Sequence, residues 1–430
     1  MKDDQKLNPL ILLFCLVSAA VFLVSGRWRQ VETDEPEHRE ESWLCRSSEL
    51  YTYDEMMHDI DLMRFQFAGQ FRVDSLALTA DGREVFDIVI GNSAANHRIM
   101  VNGAIHAREY VTSRLVMCQL LDILEKEEDG TQYKGNEIRE VLEDTEIHFL
   151  PMLNPDGVEI SQSGLDGLRT PAMKVRVRSI AAQDGQSADE LYFSQWWSNA
   201  NGVDLNRNFD ALWKKYDDGV HHPSYKKYKG TSVECEAESA AVAKLVREKK
   251  FSAILCYHAP GEVIYWYFRQ NGELRRMTEA YAEELSQITG YRTDVNFQSI
   301  DPAGLKDWAL EKEGIPGFTI EIGGEDNQID AAEFRKLWEE NRYVVLETAV
   351  AAAEGRLFRI PPRILEAGEH LTVVKCSEYT YLRARPNSRA EELARIPLGA
   401  EVTFEGYAND EFYRVRYQGK TGYAMINFLE

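Results

Sequence analysis

The chain has 430 residues, of which 44% are hydrophobic, so it is an ordinary globular sequence whose length predicts two or three domains. Its formal net charge of -22 excludes a nucleic-acid-binding protein, because phosphate backbones would be repelled and the sequence shows no basic patch. Bacterial wall polymers are also anionic, so binding to a cell wall would have to depend on local Lys and Arg side chains.

The N-terminal segment, residues 1–26, is predicted to be a signal peptide or a membrane anchor. Its twenty residues from Leu7 to Gly26 carry no charge, which is about the minimum for a membrane-spanning helix. A good cleavage site is missing, so both alternatives stay open. Either one predicts an extracytoplasmic protein, secreted or anchored, whose contact with the membrane is limited to this segment. Residues 27–49 are an acidic linker.

Residues 50–355 are predicted to form an α/β/α sandwich with a mixed central sheet. A helical pattern and a hairpin around Asp81 and Gly82 come first. Buried strands then alternate with amphipathic helices, which is typical of α/β proteins. The strand segments include EIHFLPML, FSAILCYH and IPGFTIEIG, and the helical segments include RLVMCQLLDIL, ECEAESAAVAKLVREKK and GELRRMTEAYAEELSQITG.

The tail differs from the rest of the chain. Residues 356–369 are a linker that contains prolines, and residues 370–430 read as short strands separated by turn residues. This pattern predicts a small all-β barrel. The six cysteines form no CxxC pair, which argues against a cysteine zinc site, and no disulfide pairing follows from the sequence. Cys118 and Cys256 lie in apolar segments and are predicted to be buried thiols.

A histidine and a glutamate, His106 and Glu109, lie where a predicted strand passes into a helix, in NGAIHAREYVTS. Such a pair alone is weak evidence, because exposed helices carry it by chance. However, the carboxyl ends of strands are where α/β sheets bind ligands. His258 ends a second buried strand, FSAILCYH, although a lone histidine there is often structural. A catalytic zinc takes three protein ligands and keeps one position for water.

Glu321 lies inside the apolar strand FTIEIG, where a carboxylate is costly unless it is paired or used. Burial raises the pKa of such a group, which suits a general base near neutral pH. A structural salt bridge is the alternative for this residue. Asn206 and Arg207 stand side by side in GVDLNRNFD, and a planar guanidinium is suited to bidentate binding of a carboxylate.

In this order, these motifs resemble the zinc carboxypeptidases of the funnelin type, over about residues 50–354. The resemblance implies a metallopeptidase with one Zn²⁺ per chain, a general base and a substrate-carboxylate clamp. The residues that it assigns are His106, Glu109 and His258 to the metal, Glu321 to the base, and Asn206 and Arg207 to the clamp.

Other segments indicate which branch of this family the chain resembles most. LPMLNPDGVEI, PSYKKYKG, HAPGEVIYW and LKDWALEKEGIPGFTIEIG look most like the bacterial branch that cleaves γ-D-glutamyl–diaminopimelate bonds in peptidoglycan. The tail is similar to bacterial Src-homology-3-type domains that bind cell walls, and Tyr379, Tyr381 and Tyr413 are candidates for its binding groove. Lys306 in AGLKDW takes the place that, in the family, lines the pocket for the side chain beyond the cut. There it would meet the second carboxylate of diaminopimelate.

Two alternatives to this function stay open, a general scavenging metallocarboxypeptidase and a non-catalytic wall-binding protein. The second is motivated by Trp197, because related enzymes carry there a basic residue that polarises the scissile carbonyl. Ser299 stands where digestive relatives have a mobile tyrosine. The stretch GLRTPAMKVRVRS, read as a loop, offers four possible substitute cations, namely Arg169, Lys174, Arg176 and Arg178.

Overall fold

The computed structural model of the protein describes residues 50–294, 302–324, 331–362, 365–409 and 411–430, without the side chains of residues 331 and 332. The predicted signal peptide or anchor, the acidic linker, Cys15, Cys45 and Ser299 lie outside these ranges. Within the ranges, no helix combines the length and the apolar character that crossing a bilayer requires.

The α/β part of the chain contains helices on both sides of a long sheet. Its helices are α1 (Tyr53–Gln66), α2 (Val111–Asp129), α3 (Ile138–Asp144), α4 (Pro155–Ser163), α5 (Pro171–Gln183), α6 (Glu190–Phe193), α7 (Ala237–Lys249), α8 (Gly272–Thr289), α9 (Leu305–Trp308), α10 (Ala331–Asn341) and α11 (Val344–Ala353). Its strands are β1 (Phe71–Leu78), β2 (Glu84–Gly91), β3 (His97–Asn102), β4 (Gln132–Tyr133), β5 (Asn136–Glu137), β6 (Thr145–Leu150), β7 (Ala253–His258), β8 (Val263–Tyr265), β9 (Arg292–Thr293) and β10 (Gly317–Glu321).

The central sheet is mixed, as predicted. Among the described residues its strand order is β1-β2-β6-β3-β7-β10-β8-β9. The four middle strands β6, β3, β7 and β10 run parallel, and β1 and β2 pair antiparallel with their neighbours. β8 pairs antiparallel with β10 and parallel with β9. A run of parallel strands is stable only when both faces are covered, which the helices provide.

Side chains along the middle strands point alternately to the two faces of the sheet, so the hydrophobic core has one part on each face. In β7, Leu255 and Tyr257 pack into one hydrophobic cluster together with α2, α8 and α11. Ile254 and Cys256 pack into a second cluster with α7 and the segment around Trp308. The α/β/α sandwich is therefore confirmed. Cys118 and Cys256 are buried free thiols, as predicted.

One prediction about local structure was wrong. The stretch GLRTPAMKVRVRS, read as a loop, contains the start of helix α5. Thr170 caps this helix by accepting the backbone N–H of Met173, and Pro171 occupies its first turn. Arg176 and Arg178 flank the buried Val177 in the sequence, so the pattern did not indicate the apolar face of this helix.

The C-terminal residues 370–430 form the separate all-β unit that was predicted, and we call it the barrel domain. Its six strands pair antiparallel around a small core that includes Val373, Leu382, Phe404 and Val415. The strands are β11 (His370–Thr372), β12 (Tyr379–Arg383), β13 (Glu392–Pro397), β14 (Glu401–Tyr407), β15 (Phe412–Tyr417) and β16 (Lys420–Met425).

Candidate active site

Three neighbouring parallel strands end at one edge of the sheet, with β7 between β3 and β10. β7 ends at His258, which pairs with Glu321, the last residue of β10. After β3 ends at Asn102, the chain turns into a short 3₁₀ helix that contains Glu109 and follows His106. The carboxyl ends of the strands therefore bring these ionisable residues together, at the edge where such sheets bind ligands.

His106, Glu109 and His258 form a buried group whose donor atoms all lie within 4.8 Å of one another. Nδ1 of His106 lies 2.9 Å from Oε1 of Glu109 and 3.2 Å from Nδ1 of His258. Nδ1 of His258 lies 3.0 Å from Oε2 of Glu109. Two imidazole nitrogens and one carboxylate that face a common point are the donor set of a catalytic zinc site, so these residues fit that metal.

The charges within this group are strongly coupled. Burial alone would lower the pKa of His106, but the charges of Glu109 and Asp204 outweigh it and raise that pKa to about 10. Burial alone would raise the pKa of Glu109, but the two neighbouring imidazoles lower it to about 2. A ligating imidazole has to be neutral, so metal binding would release a proton from His106.

Asp204 is a further residue beside the potential metal ligands, and the sequence interpretation missed it. It is fully buried, and its Oδ1 lies 3.4 Å from Nε2 of His106, the ring nitrogen that does not face Glu109. Its Oδ1 also accepts the backbone N–H of Asn206 at 3.1 Å. A carboxylate on the far nitrogen of a metal-ligating imidazole fixes the tautomer and orientation of the ring. The sequence did offer a signal for Asp204, because this residue belongs to the same GVDLNRNF motif as Asn206 and Arg207.

Glu321 lies in the wall of the cavity beside the three potential ligands. Loss of hydration, with a contribution from the charge of Glu109, raises its pKa to about 8. A bound divalent cation would oppose the effect of Glu109, because it would be the largest local charge. The loop after His258 passes so close that a Cβ on Gly261 would meet the Cβ of Glu321 at 3.0 Å. Glycine at that position therefore keeps the carboxylate in place.

Buried hydrogen bonds hold the loop that carries His106 and Glu109. Thr112 Oγ1 donates to the backbone carbonyl of Glu109 at 2.7 Å. The side-chain amide of Asn154 donates to the backbone carbonyls of Ile105 and Trp197, each at 3.2 Å. One buried asparagine thus ties the ligand loop to the segment of Trp197.

Asn206 and Arg207 both line the same cavity, as the carboxylate clamp would require. Oδ1 of Asn206 accepts the backbone N–H of Leu305 at 3.0 Å, which leaves its amino group as the part that can donate to a ligand. Arg207 is buried, and its guanidinium carbon lies 5.3 Å from the ring centroid of Tyr216. Its position is therefore fixed by packing before any ligand binds.

Lys306 also lines this cavity, whose volume is about 430 Å³. The lysine is buried, and its Nζ lies 2.6 Å from Oδ1 of Asp307 and 3.1 Å from the backbone carbonyl of Tyr267. The predicted need for an anionic partner is thus met inside the protein by its own neighbour. The sequence interpretation did not foresee this ion pair.

The cations proposed to substitute at Trp197 are not at the cavity. Arg169 donates to the carbonyl of Gly82, and neither it nor the three basic residues of α5 line the cavity. The cavity is lined instead by Arg108, which lies between the two ligands of the HARE motif. Its guanidinium carbon is 4.7 Å from the ring centroid of Trp197, and the same ring stacks on His106 at 4.8 Å.

The fold and the site together define a metallopeptidase, and comparison with known proteins identifies which kind. The chain belongs to the zinc carboxypeptidase family, whose profile matches residues 56–344. Residues 378–425 match the bacterial SH3 domain.

Relatives and solved structures agree with this assignment. The γ-D-glutamyl-L-diamino acid endopeptidase 1 of Lysinibacillus sphaericus is 32% identical over 303 residues, which are 69% of this chain and 72% of that protein. Human carboxypeptidase B is 26% identical over 261 residues, covering 57% of this chain and 56% of that protein. The fold is similar to that of thrombin-activatable fibrinolysis inhibitor, with a TM-score of 0.56 at 17% identity over 76% of this chain and 80% of the other.

The geometry predicts how metal binding responds to substitution. His106→Ala or His258→Ala removes one of three ligands, so the purified protein should lose its zinc. Asp204→Asn should weaken zinc affinity about 10–100-fold, the usual effect of losing a partner behind a ligand. Metal analysis after dialysis against a graded chelator measures both effects.

The matched control is Glu321→Gln, which lies in the same cavity and is not a ligand. It should keep zinc while turnover falls roughly 10²–10⁴-fold, the contribution of general acid–base catalysis. Full zinc occupancy in both histidine variants would contradict the ligand assignment.

Proposed function

We propose that this enzyme cleaves γ-D-glutamyl–diaminopimelate bonds in peptidoglycan stem peptides and acts outside the cytoplasm, associated with the cell wall. The observation that carries the proposal is the buried Lys306–Asp307 pair in the wall of the cavity that also contains the potential metal ligands. The relative from Lysinibacillus sphaericus supports it, because that protein's name specifies a γ-D-glutamyl-L-diamino acid bond.

In this proposal His106, Glu109 and His258 hold one zinc ion per chain. Zinc bound there would act as a Lewis acid and bring the pKa of a water molecule toward ~7. Asp204 keeps the His106 ring oriented by holding its far nitrogen.

Glu321 serves as the general base and then as the general acid. It accepts a proton from the attacking water as the new C–O bond forms at the scissile carbonyl. It then gives that proton to the leaving amine as the C–N bond breaks. Burial raises its pKa above the usual range of a carboxyl and bound zinc would offset part of that rise, so the group can both accept and return a proton nearer neutral pH than an exposed glutamate can. Arg207 and Asn206 bind the carboxylate on the far side of the cut.

Arg108 is the cation that we assign to the scissile carbonyl. Its side chain lines the same cavity as Glu321, and its charge interacts with both Glu109 and Glu321. Packing against Trp197 restrains it before substrate binds. A preorganised donor aimed at the developing oxyanion is usually the largest single contribution of such a site.

This role predicts a specific kinetic change. Arg108→Gln keeps a polar side chain and removes the charge, so kcat should fall about 10²–10³-fold with zinc content unchanged. Arg108→Lys should restore part of the loss. Steady-state kinetics on a muropeptide measure both variants.

The control is Arg178→Gln, because Arg178 is one of the cations that the sequence suggested and is exposed on α5. It should stay within twofold of the wild type. A large loss in Arg178→Gln, or none in Arg108→Gln, would move the role away from Arg108.

The Lys306–Asp307 pair matches the far end of diaminopimelate. That end is an amino-acid centre with both an ammonium and a carboxylate. Lys306 has three N–H donors, and Asp307 and the carbonyl of Tyr267 take two of them, so one remains for a ligand carboxylate. Asp307 is in turn an acceptor for the ligand ammonium. The ammonium of a lysine side chain would interact favourably only with Asp307, and a neutral side chain would form an ion pair with neither Asp307 nor Lys306.

Substrate preference tests this match. The wild type should cleave L-Ala-γ-D-Glu-diaminopimelate about ten- to hundredfold better in kcat/KM than the same peptide with L-Lys, since one charge-assisted hydrogen bond is at stake. Lys306→Met should erase most of that ratio and change cleavage of an alanine-containing analogue far less. Mass spectrometry of timed digests gives the rates.

Lys312→Met is the matched control, because Lys312 is more exposed and lies outside the cavity. It should leave the ratio unchanged. Equal rates on both peptides, together with efficient trimming of ordinary protein C-termini, would favour the scavenging carboxypeptidase instead.

The barrel domain offers a surface for the wall polymer. On β12 and β13, the guanidinium of Arg383 lies 4.6 Å from the ring of Tyr381, and that of Arg395 lies 4.6 Å from the ring of Tyr379. We call these four residues the tyrosine–arginine patch. Its two guanidinium groups are local positive charges of the kind that an acidic protein needs to bind an anionic polymer, although Glu392 lies 4.0 Å from that of Arg383. Tyr413 does not belong to it, because its ring packs on Phe404 in the barrel core.

Binding to the wall should therefore depend on this patch. The double variant Tyr381→Ala/Arg383→Ala should reduce retention on purified sacculi about tenfold, as expected for aromatic and arginine anchors. Cleavage of small soluble muropeptides should stay unchanged. Tyr417→Ala/Arg416→Ala on β15 is the matched control, and equal retention of the two double variants in a pull-down would contradict the patch.

A further inference from the structure

The loop between β8 and α8, residues 266–271, forms the wall of the cavity around Lys306. Its Tyr267 carbonyl accepts the Lys306 ammonium, and the Phe268 ring centroid lies 5.8 Å from the same Nζ. Gln270 holds the loop in shape, because its Oε1 accepts the backbone N–H of Phe268 at 2.6 Å and its Nε2 donates to the carbonyl of Trp266 at 2.8 Å. We call these residues the pocket loop.

The far end of the pocket loop is held by the barrel domain. Oε1 of Glu430 accepts the backbone N–H of Gly272, the first residue of α8, at 2.7 Å. Asn271 stands at the N-cap position, but its side chain makes no capping bond and instead accepts Nζ of Lys375 at 2.6 Å. Lys375 also lies 3.0 Å from Glu430.

In this arrangement the cap at the N-terminus of α8 comes from another domain and not from the residue next to the helix. A helix commonly caps itself with the side chain of its own N-cap residue, which satisfies an otherwise unpaired N–H. Here the capping acceptor is a carboxylate more than 150 residues away, at the positive end of the helix dipole. The last residue of the pocket loop and the first residue of α8 are therefore both bonded to the barrel domain.

We infer that the barrel domain positions the specificity pocket, with Glu430 and Lys375 as positioning residues that act on Lys306 through the pocket loop. The inference rests on the proposed function for the identity of the substrate. The physical claim, that the contact of Glu430 with Gly272 orders residues 266–272, is independent of the proposed function.

The first test needs no substrate. Hydrogen–deuterium exchange of the full chain compares Glu430→Ala with Glu411→Ala. Glu411 is the matched control, because it also joins the barrel to the rest of the protein, through Lys215 at 3.3 Å, but lies away from the pocket loop. In Glu430→Ala the amides of the pocket loop and the first turn of α8 should exchange roughly fivefold faster, as expected for a lost cap. In Glu411→Ala they should not change.

The second test is kinetic. Glu430→Ala should raise KM about fivefold for the diaminopimelate peptide, leave kcat within twofold, and leave the alanine analogue unaffected, because only the first substrate uses Lys306. Glu430→Gln retains an acceptor for the Gly272 N–H and should recover much of both effects. Circular dichroism melts establish that each variant is folded.

The outcomes separate the two proposals. A wild type without preference for diaminopimelate would overturn the proposed substrate, whereas the exchange data would still decide whether the barrel orders the loop. Unchanged exchange in Glu430→Ala would overturn the inference, and so would equal increases in both variants. If the wild type prefers diaminopimelate, faster exchange in Glu430→Ala without any change in the KM ratio would show that the ordering does not reach the pocket, which also overturns the inference.

Discussion

The convergence of β3, β7 and β10 at one edge of the sheet brings carboxylates into a small, largely buried space, and the rest of the site is arranged around their charge. Glu109, Asp204 and Glu321 would each be costly there without a partner. His106 lies between the first two carboxylates, and Arg108 interacts with the third. A divalent cation bound to His106, Glu109 and His258 would add positive charge beside these carboxylates and so offset part of the cost of burying them.

Trp197 stands where the resemblance would place a basic residue, and the structure shows what the tryptophan contacts. An aromatic ring at that position packs on a candidate metal ligand and at the same time gives the guanidinium of Arg108 a surface to lie on. Cation–π packing restrains an arginine without consuming its hydrogen-bond donors. In the proposed function the cation is therefore Arg108, from the ligand loop itself, and the backbone of Trp197 is tied to that loop through Asn154 and the N–H of Ala107.

The sequence was sufficient for the fold class and for the residues at the strand ends, because apolar strands interrupted by His or Glu are a local signal. It was insufficient where contacts depend on the fold. From the sequence alone, an aspartate such as Asp204 is readily explained as the cap of a short helix. Its contact with His106 becomes apparent only in the fold. The Lys306–Asp307 pair joins adjacent residues, which do not face each other in a regular helix. Their contact arises where a single α-helical turn passes into the π-helical turn Ala309–Glu313.

The barrel domain has two kinds of surface, and their separation bears on how the enzyme works. Its contacts with the rest of the protein include those of Lys375, Glu411 and Glu430, whereas the tyrosine–arginine patch lies on β12 and β13. An exposed ion pair such as Lys215–Glu411 contributes little to docking, and polar interfaces between domains are usually labile. Capping α8 is different, because losing it removes a carboxylate acceptor from an N–H at the positive end of the helix dipole. We therefore propose that the domain holds the polymer through the tyrosine–arginine patch while Glu430 and Lys375 order the pocket loop.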